Sequence, residues 1–458
     1  MSKEFFFDDT RLFRRAGLKR SYTRPEEAAV FNDGEWNTAH PGGWVLRQPD
    51  GTFRMIYTAG APGGKALHFL SAVSADGVHF EKDLNAAAAA GLENPAAPHQ
   101  LIPDLPDCSE VVCCFEDHEA AADARYKMLI AIFNWEERRM YDYMMISPDT
   151  LHWTTLHTVQ WHARGSEPVG SCCYDSARKR WMIATRPDWG DRRIAGIYTT
   201  DWETFTSPKL LMSPDGLDEN LVEFYGLCLA DLDGNMIGLL DRYNPGDKDM
   251  RKFKFMGGTM TCELVYSRDG ECWQRTLRLP FAGDDKKMFF PSAIRQDERN
   301  LYIYGSYSEK EHGYFFPEDL CTGIKIFRSP KDRLVALETE GEEAGILALR
   351  QCVWNGGKLQ VNLKTEKATM ALYDHTDGED VLIASHEECI PFSGDSLAWE
   401  PRWKNLDSMD SLKGKLLVFE VKLENGAIWT ISGDFKLLHT TEAFRYQKAR
   451  IVPTRKGF

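Results

Sequence analysis

The chain has 458 residues, of which 43% are hydrophobic, 12% aromatic and 27% charged, enough for two or three packed domains and too balanced for a disordered or low-complexity protein. Its 55 Lys+Arg against 69 Asp+Glu leave a net charge of −14 with no long basic stretch, which argues against nucleic acid and anionic membrane as partners. No run of about 18 apolar residues reads as a membrane span, and acids follow Phe5-Phe6-Phe7 too early for a secretory signal, so a cytoplasmic location is expected.

Along the chain, the residues up to about 330 fall into five similar units. Each pairs a short apolar run ending at a turn with a second strand-like segment, and four end in a turn of the form S/T-x-D-x-x-x-aromatic. In the first unit these are Gly43–Gln48, Phe53–Tyr57 and Ser74–Phe80; in the second, Val111–Asp117, Tyr126–Ile130 and Ser147–Trp153. The third has Pro168–Asp175, Trp181–Ile183 and Thr199–Phe205, and the fourth Phe224–Asp231, Asn235–Ile237 and Ser267–Trp273. In the fifth, Phe290–Gln296 and Leu301–Tyr304 lead to a degenerate Ser329-Pro330-Lys331-Asp332. The repeat aspartates Asp76, Asp149, Asp201 and Asp269 are expected to cap turns while the aromatic packs between units. Alternating strands without helical period, in five units of about 50–70 residues, predict a five-bladed β-propeller over residues 1–330. Leu84–Asp107 reads as a loop joining the first two blades, and the insertion Asn244–Gly258, with Arg251, Lys252 and Lys254, as a rim loop. From 331 to 458 the pattern changes to short strands separated by Gly and Asp turns, among them Leu334–Glu338, Lys358–Leu363, Thr369–Tyr373, Val381–Ser385 and Leu416–Leu423, which predict a β-sandwich. The fold class is all-β throughout.

Eleven cysteines occur singly or as the pairs Cys113-Cys114 and Cys172-Cys173, whose members point to opposite faces of a strand and cannot easily share a metal. Nucleotide, zinc-protease and serine-hydrolase motifs are absent. Reduced structural thiols are expected, with no organic cofactor and no metal.

A propeller gathers the first strands of its blades round one axis, so the residues opening those strands share one funnel. Counting eight positions back from the turn of each first strand gives His40, Asp107, Glu167, Glu223 and Met288; Asp33 and Glu35 precede the first strand and Glu110 lies within the second. Carboxylates from several blades repel unless a cation, proton or substrate uses them. A protonated acid beside an ionised one is what cleavage of a glycosidic bond needs, with separations of about 5–5.5 Å for retention and roughly 6.5–9.5 Å for inversion. Trp36, Trp135 and Trp189 are candidates to stack on a sugar or to pack between blades. His40 is a candidate for substrate contact or a structural hydrogen bond. Arg186 and Arg242, ending second strands, are candidates to bind sugar hydroxyls, a phosphate or a carboxylate. Arg192 and Arg193 read as an outlying solvated or ion-paired surface.

The repeats and the trailing sandwich resemble the glycoside hydrolase family 32 and family 43 superfamily, and more closely a bacterial group of family-32-like proteins. The resemblance is carried by Thr52–Tyr57 with Ser74–Phe80, Arg125–Met128, Glu223–Gly226 with Gly238–Leu240, Ser267–Gly270 with Trp273, and Gly357–Asn362, and it spans about Phe5 to Phe435. It implies a five-bladed propeller plus sandwich with three central acids. Glu167 falls where that superfamily has a central transition-state-stabilising aspartate, and Glu223 matches the general acid. The first blade departs: Ala39-His40-Pro41-Gly42-Gly43 stands where a nucleophilic aspartate is usual, so Asp33 or Glu35 takes that role or the mechanism differs. The expected activity is hydrolysis of a small oligosaccharide or glycoside, with a furanoside among the candidates; a phosphate-using phosphorylase and a non-catalytic carbohydrate-binding propeller are the rivals. A small carbohydrate is the expected partner, and the sandwich is read as a brace or as the surface of a homo-oligomer.

Overall fold

The computed structural model describes residues 2–34, 36–38, 42–61, 67–105, 109–134, 136–137, 139–159, 167–187, 189–245, 258–283, 287–312 and 322–450; for residues 37, 38, 109–111, 133, 139, 140, 157 and 167–169 the description is of the backbone. The described chain is almost entirely β, with a ten-residue helix Thr440–Ala449 near its end. It divides into two compact units, one of Pro25–Arg295 with Tyr302–Arg328 and one of Met1–Arg24, Gln296–Leu301 and Ser329–Phe458.

The first unit is a succession of sheets in chain order. Sheet 1 has Asn37–Thr38 and Trp44–Arg47 side by side with Phe53–Gly60, then Leu67–Ser74 and Glu81–Lys82. Sheet 2 is Ser109–Glu116, Tyr126–Asn134, Arg139–Ser147 and Thr154–Val159, and sheet 3 is Glu167–Asp175, Arg180–Arg186, Ile194–Thr199 and Lys209–Met212. Sheet 4 is Glu223–Leu232, Asn235–Asn244, Thr259–Ser267 and Trp273–Ala282. Sheet 5 is Met288–Gln296, Asn300–Ser308, Thr322–Pro330 and, outermost, Glu26–Phe31, and it joins sheet 4 through the bridge Met260↔Met288.

Apolar clusters link each sheet to the next: Trp44 and Ile56 with Val112, Met128 and Trp181 across sheets 1 to 3; Met182 and Tyr198 with Phe224 and Leu240 across sheets 3 and 4. Tyr243 and Met260 meet Met288 and Phe290 across sheets 4 and 5, and Phe31, Tyr304 and Ile324 of sheet 5 meet Met55 and Tyr57 of sheet 1. Every sheet therefore has a neighbour on either side, the contact order of propeller blades. This is why Ile194–Thr199 is buried at every position: a strand covered on both faces has no solvent side to fill with polar residues.

The repeat aspartates cap turns as the sequence suggests. Asp76 Oδ1 accepts the N–H groups of Val78 and His79, both at 2.8 Å, and Asp149, Asp201 and Asp269 do the same for Leu151 and His152, Glu203 and Thr204, and Glu271 and Cys272. Phe80, closing the first such turn, meets Tyr304 of sheet 5 edge-on at 6.3 Å.

In the second unit nine strands bond into one sheet around a core that includes Phe6, Leu18, Leu347, Trp354, Trp403 and Phe419. The long strands Cys352–Asp374 and Leu416–Leu437 pair along most of their length. Ser2–Phe5, Leu12–Ala16 and Leu18–Tyr22 pair with Leu416–Leu437, Gly345–Leu349 and Val335–Thr339. The first 24 residues thus lie with the C-terminal strands, whereas the sequence reading assigns them to the 1–330 domain; their apolar alternation marks strands, but their hydrogen-bond partners lie more than 300 positions away.

Candidate active site

The leading ends of the first strands are built alike. In sheets 2, 3 and 4 the register breaks close to the start, between Val111 and Cys113, Glu167 and Ser171, and Phe224 and Gly226. Such bulges leave a residue unpaired and re-aim the side chains beside it, and they recur next to active sites. In sheet 3 the bulge needs Gly170, where a Cβ would fall 2.3 Å from the Ala184 carbonyl oxygen. Buried Ser171 then sews sheet 3 to sheet 4: its Oγ donates to Leu227 O at 2.8 Å and accepts from the Leu229 N–H at 2.7 Å. Glu167 lies opposite Arg186, and Glu223 opposite Tyr243. Two of the expected carboxylates therefore open adjacent, stitched strands, with the Glu167 backbone placed at this level.

Around Glu223 the side chains converge. Its Oε2 accepts a hydrogen bond from Arg192 Nη1, and its side chain is 27% exposed. Oε1 makes no hydrogen bond with the protein among the described residues. The Arg192 guanidinium lies 5.4 Å from the Tyr225 ring and 5.6 Å from the Tyr243 ring, and Arg186 stands 4.2 Å from Tyr225 and donates to its carbonyl at 3.2 Å. His312 is 3.3 Å from the Tyr225 hydroxyl and its ring is near both tyrosines, at 5.2 and 5.1 Å. Burial raises Tyr243 above the ordinary phenol value and pushes Asp241, opposite Gly226, well above the usual carboxylate range, which nearby Arg186 opposes.

Asp33 is placed differently from the sequence expectation. It lies in the short crossing from Glu26–Phe31 of sheet 5 to Asn37–Thr38 of sheet 1, and its side chain is fully enclosed. Oδ2 accepts from the Tyr57 hydroxyl at 2.7 Å and sits 3.0 Å from His99 Nε2, while Oδ1 pairs with Lys82 at 3.1 Å. Burial works to raise this carboxyl, and the bonds from His99, Tyr57 and Lys82 overcome it, holding Asp33 below its ordinary value. An acid with no exposed oxygen cannot reach a substrate in this structure; it latches the crossing.

Trp36 packs edge-on against His68 and His99, at 5.3 and 6.0 Å. Arg242, next to Tyr243 and so on the opposite face of its strand, joins Glu219, Glu263 and Asp218 in an ion network with Arg275, away from Glu223. Half-buried Trp189 carries Arg193 at 5.5 Å over its ring, and Arg193 pairs with Asp191 as an outlying arginine should. Arg192 does not lie outside as expected but turns to Glu223, while Arg193 turns to Asp191. Glu110 lies opposite Ala131 by its backbone; Glu35, His40, Asp107 and Trp135 fall outside the described residues. A cleft of about 560 Å³ at the far ends of the first strands of sheets 1 and 2, lined by Arg47, Glu116, His118 and Arg125, is separate from these groups.

Sequence reasoning misses Arg192, Tyr225, Tyr243 and His312, and also Asp142, which lies level with Glu110 through Ala131. Burial pushes the Asp142 carboxyl up to about 7. Its native form holds a proton that the unfolded chain releases near pH 4, so stability falls as pH rises between about 4 and 7. Asp142→Asn should remove this slope and be the more stable form at pH 7, by on the order of 3 kcal/mol, in thermal melts across that range at fixed ionic strength.

Fold and site thus define an all-β protein whose sequential sheets present carboxylates at adjoining leading ends. No family model matches the chain, and no curated protein does. Among similar solved structures is an N-acetylgalactosamine deacetylase from F. plautii in complex with blood group B trisaccharide, at 15% identity over 69% of this chain and 97% of that one, with a TM-score of 0.44. A second comes from the GH130 family of mannoside phosphorylases, described as containing glycoside hydrolases that target β-1,2 mannosidic linkages in Candida mannan, at 13% identity over 69% and 94% with a TM-score of 0.43. A third is the Bombyx mori GH32 β-fructofuranosidase BmSUC1, at 11% identity over 88% and 93% with a TM-score of 0.42.

Proposed function

We propose that this chain is a glycosidase, an O-glycosyl hydrolase that cleaves a small oligosaccharide or glycoside at the leading ends of sheets 3 and 4. The observation that carries the reading is Glu223, a half-buried carboxylate anchored through one oxygen to Arg192 while its other oxygen makes no hydrogen bond among the described residues. A group held this way can carry a proton on the free oxygen and give it to a departing glycosidic oxygen. Glu167, opening the adjoining strand, is the proposed second carboxylate, as stabiliser or base, and Glu35 the acid from the first blade. Tyr225 and Trp189, both half-buried, supply aromatic surface for a sugar ring. The five-sheet unit is the proposed catalytic domain. The nine described cysteines are free thiols, which supports a reducing, cytoplasmic setting. Among the described residues no helix is long and apolar enough to cross a membrane.

Phosphorolysis is the second reading, favoured by two guanidinium groups, Arg186 and Arg192, close to one tyrosine beside Glu223. The test is product release from a panel of furanosides and mannosides with and without inorganic phosphate. Monosaccharide released without phosphate is the expected result; a sugar phosphate as product would replace hydrolase by phosphorylase, and saturable sugar binding without turnover would replace both by a binding module.

A further inference from the structure

We propose that Arg192 is a positioning residue that fixes the Glu223 carboxylate, so that only Oε1 faces the substrate. The inference rests on the reading of Glu223 as the acting carboxylate. Three contacts carry it. Arg192 Nη1 bonds Glu223 Oε2. The Arg192 carbonyl accepts the Phe224 N–H at 3.2 Å, so the same residue also holds the backbone immediately after Glu223, where the register of sheet 4 breaks. Its guanidinium lies within cation–π distance of both Tyr225 and Tyr243, which limits where the arm can swing.

Arg192 precedes Ile194–Thr199 of sheet 3, while Glu223 opens sheet 4, so the clamp reaches across two sheets. A half-exposed glutamate otherwise samples several rotamers, and proton transfer needs one of them; an anchor on the neighbouring sheet removes that freedom before substrate arrives. Neither neighbouring arginine duplicates the contact. Arg193 is taken by Asp191, and Arg186 donates to the Tyr225 carbonyl.

Two measurements on the full chain test this. The first needs no substrate: carboxyl labelling with a water-soluble carbodiimide and an amine, read by mass spectrometry at Glu223 and at the exposed Glu219 as internal reference. Arg192→Met should speed labelling at Glu223 about tenfold, the order of one charged hydrogen bond, and leave Glu219 unchanged. An unchanged rate at Glu223 overturns the proposal. The second uses a glycoside the wild type turns over: Arg192→Met should lower kcat about a hundredfold with KM held within about threefold, and Arg192→Lys should recover roughly tenfold of it. Added to Glu223→Gln, Arg192→Met should cost nothing further, because the two act as a unit. Additive losses, or a lowered melting temperature with kcat intact, would make Arg192 merely structural. If Glu223→Gln itself keeps full turnover, the glycosidase reading of Glu223 fails instead, and the labelling still decides whether Arg192 holds that carboxylate.

Discussion

Glu223→Gln is expected to lower kcat on the order of a thousandfold on a sugar-linked substrate, within the range that positioned acid–base groups contribute. The amide keeps the length of the side chain and can still accept from Arg192, so the ion pair is exchanged for a hydrogen bond from the guanidinium to a neutral amide oxygen, and the melting temperature should hold within a few degrees. What the amide lacks is a transferable proton. That gives the prediction a second, sharper arm, because demand for the proton depends on the leaving group. A nitrophenyl aglycone departs as a stable phenolate and needs little protonation, so on such a substrate the loss should shrink to about tenfold or less. Equal losses on the sugar and the aryl substrate would assign Glu223 to attack or to activation of water, and leave the acid to Glu167 or Glu35. Full activity on both would remove it from the chemistry.

Which parts of this arrangement can be read from the sequence follows from how far apart the interacting residues lie. The strands and turns of sheets 1 to 4 are legible because each is a local pattern: alternation makes the strand, and Ser or Thr two positions before Asp makes a turn that bonds its own backbone. Glu167 and Glu223 are legible for the same reason, since both open first strands at the same distance from the following turn. Arg192 is not, because its partner is 31 positions away and belongs to another sheet. Nothing in Asp191-Arg192-Arg193 says which arginine meets Asp191 and which crosses to Glu223. The N-terminal strands fail to declare their sheet for a related reason. Glu26–Phe31 completes sheet 5 by pairing with Thr322–Pro330, and Ser2–Phe5 pairs with Leu416–Leu437. Local alternation can mark an edge strand without naming the edge it joins.

That long-range pairing is what makes Asp33 matter, and it is the basis for the largest stability effect expected here. The chain leaves sheet 5 at Phe31 and enters sheet 1 at Asn37, so the crossing ties the last sheet of the unit to the first. Asp33 pins it to Tyr57 of the second strand, Lys82 of the outermost strand and His99 beyond. Asp33→Ala would leave Tyr57 and His99 facing an empty, enclosed site and Lys82 with only the Asp33 carbonyl and solvent, which should cost about 3–5 kcal/mol and lower the melting temperature by about 10 °C. The pH dependence has a fixed sign. The native carboxyl titrates below its unfolded value, so the stabilisation is complete above the ordinary carboxylate range and fades as pH falls through the lowered native value. The melting curves of wild type and Asp33→Asn should therefore stand apart at pH 7 and draw together below about pH 4. Turnover per folded molecule should stay within about threefold of wild type, since the side chain is enclosed. A catalytic carboxylate would give the reverse, with kcat lost and the melting temperature intact, and that pattern would return Asp33 to the reacting bond and require the crossing to open when substrate binds.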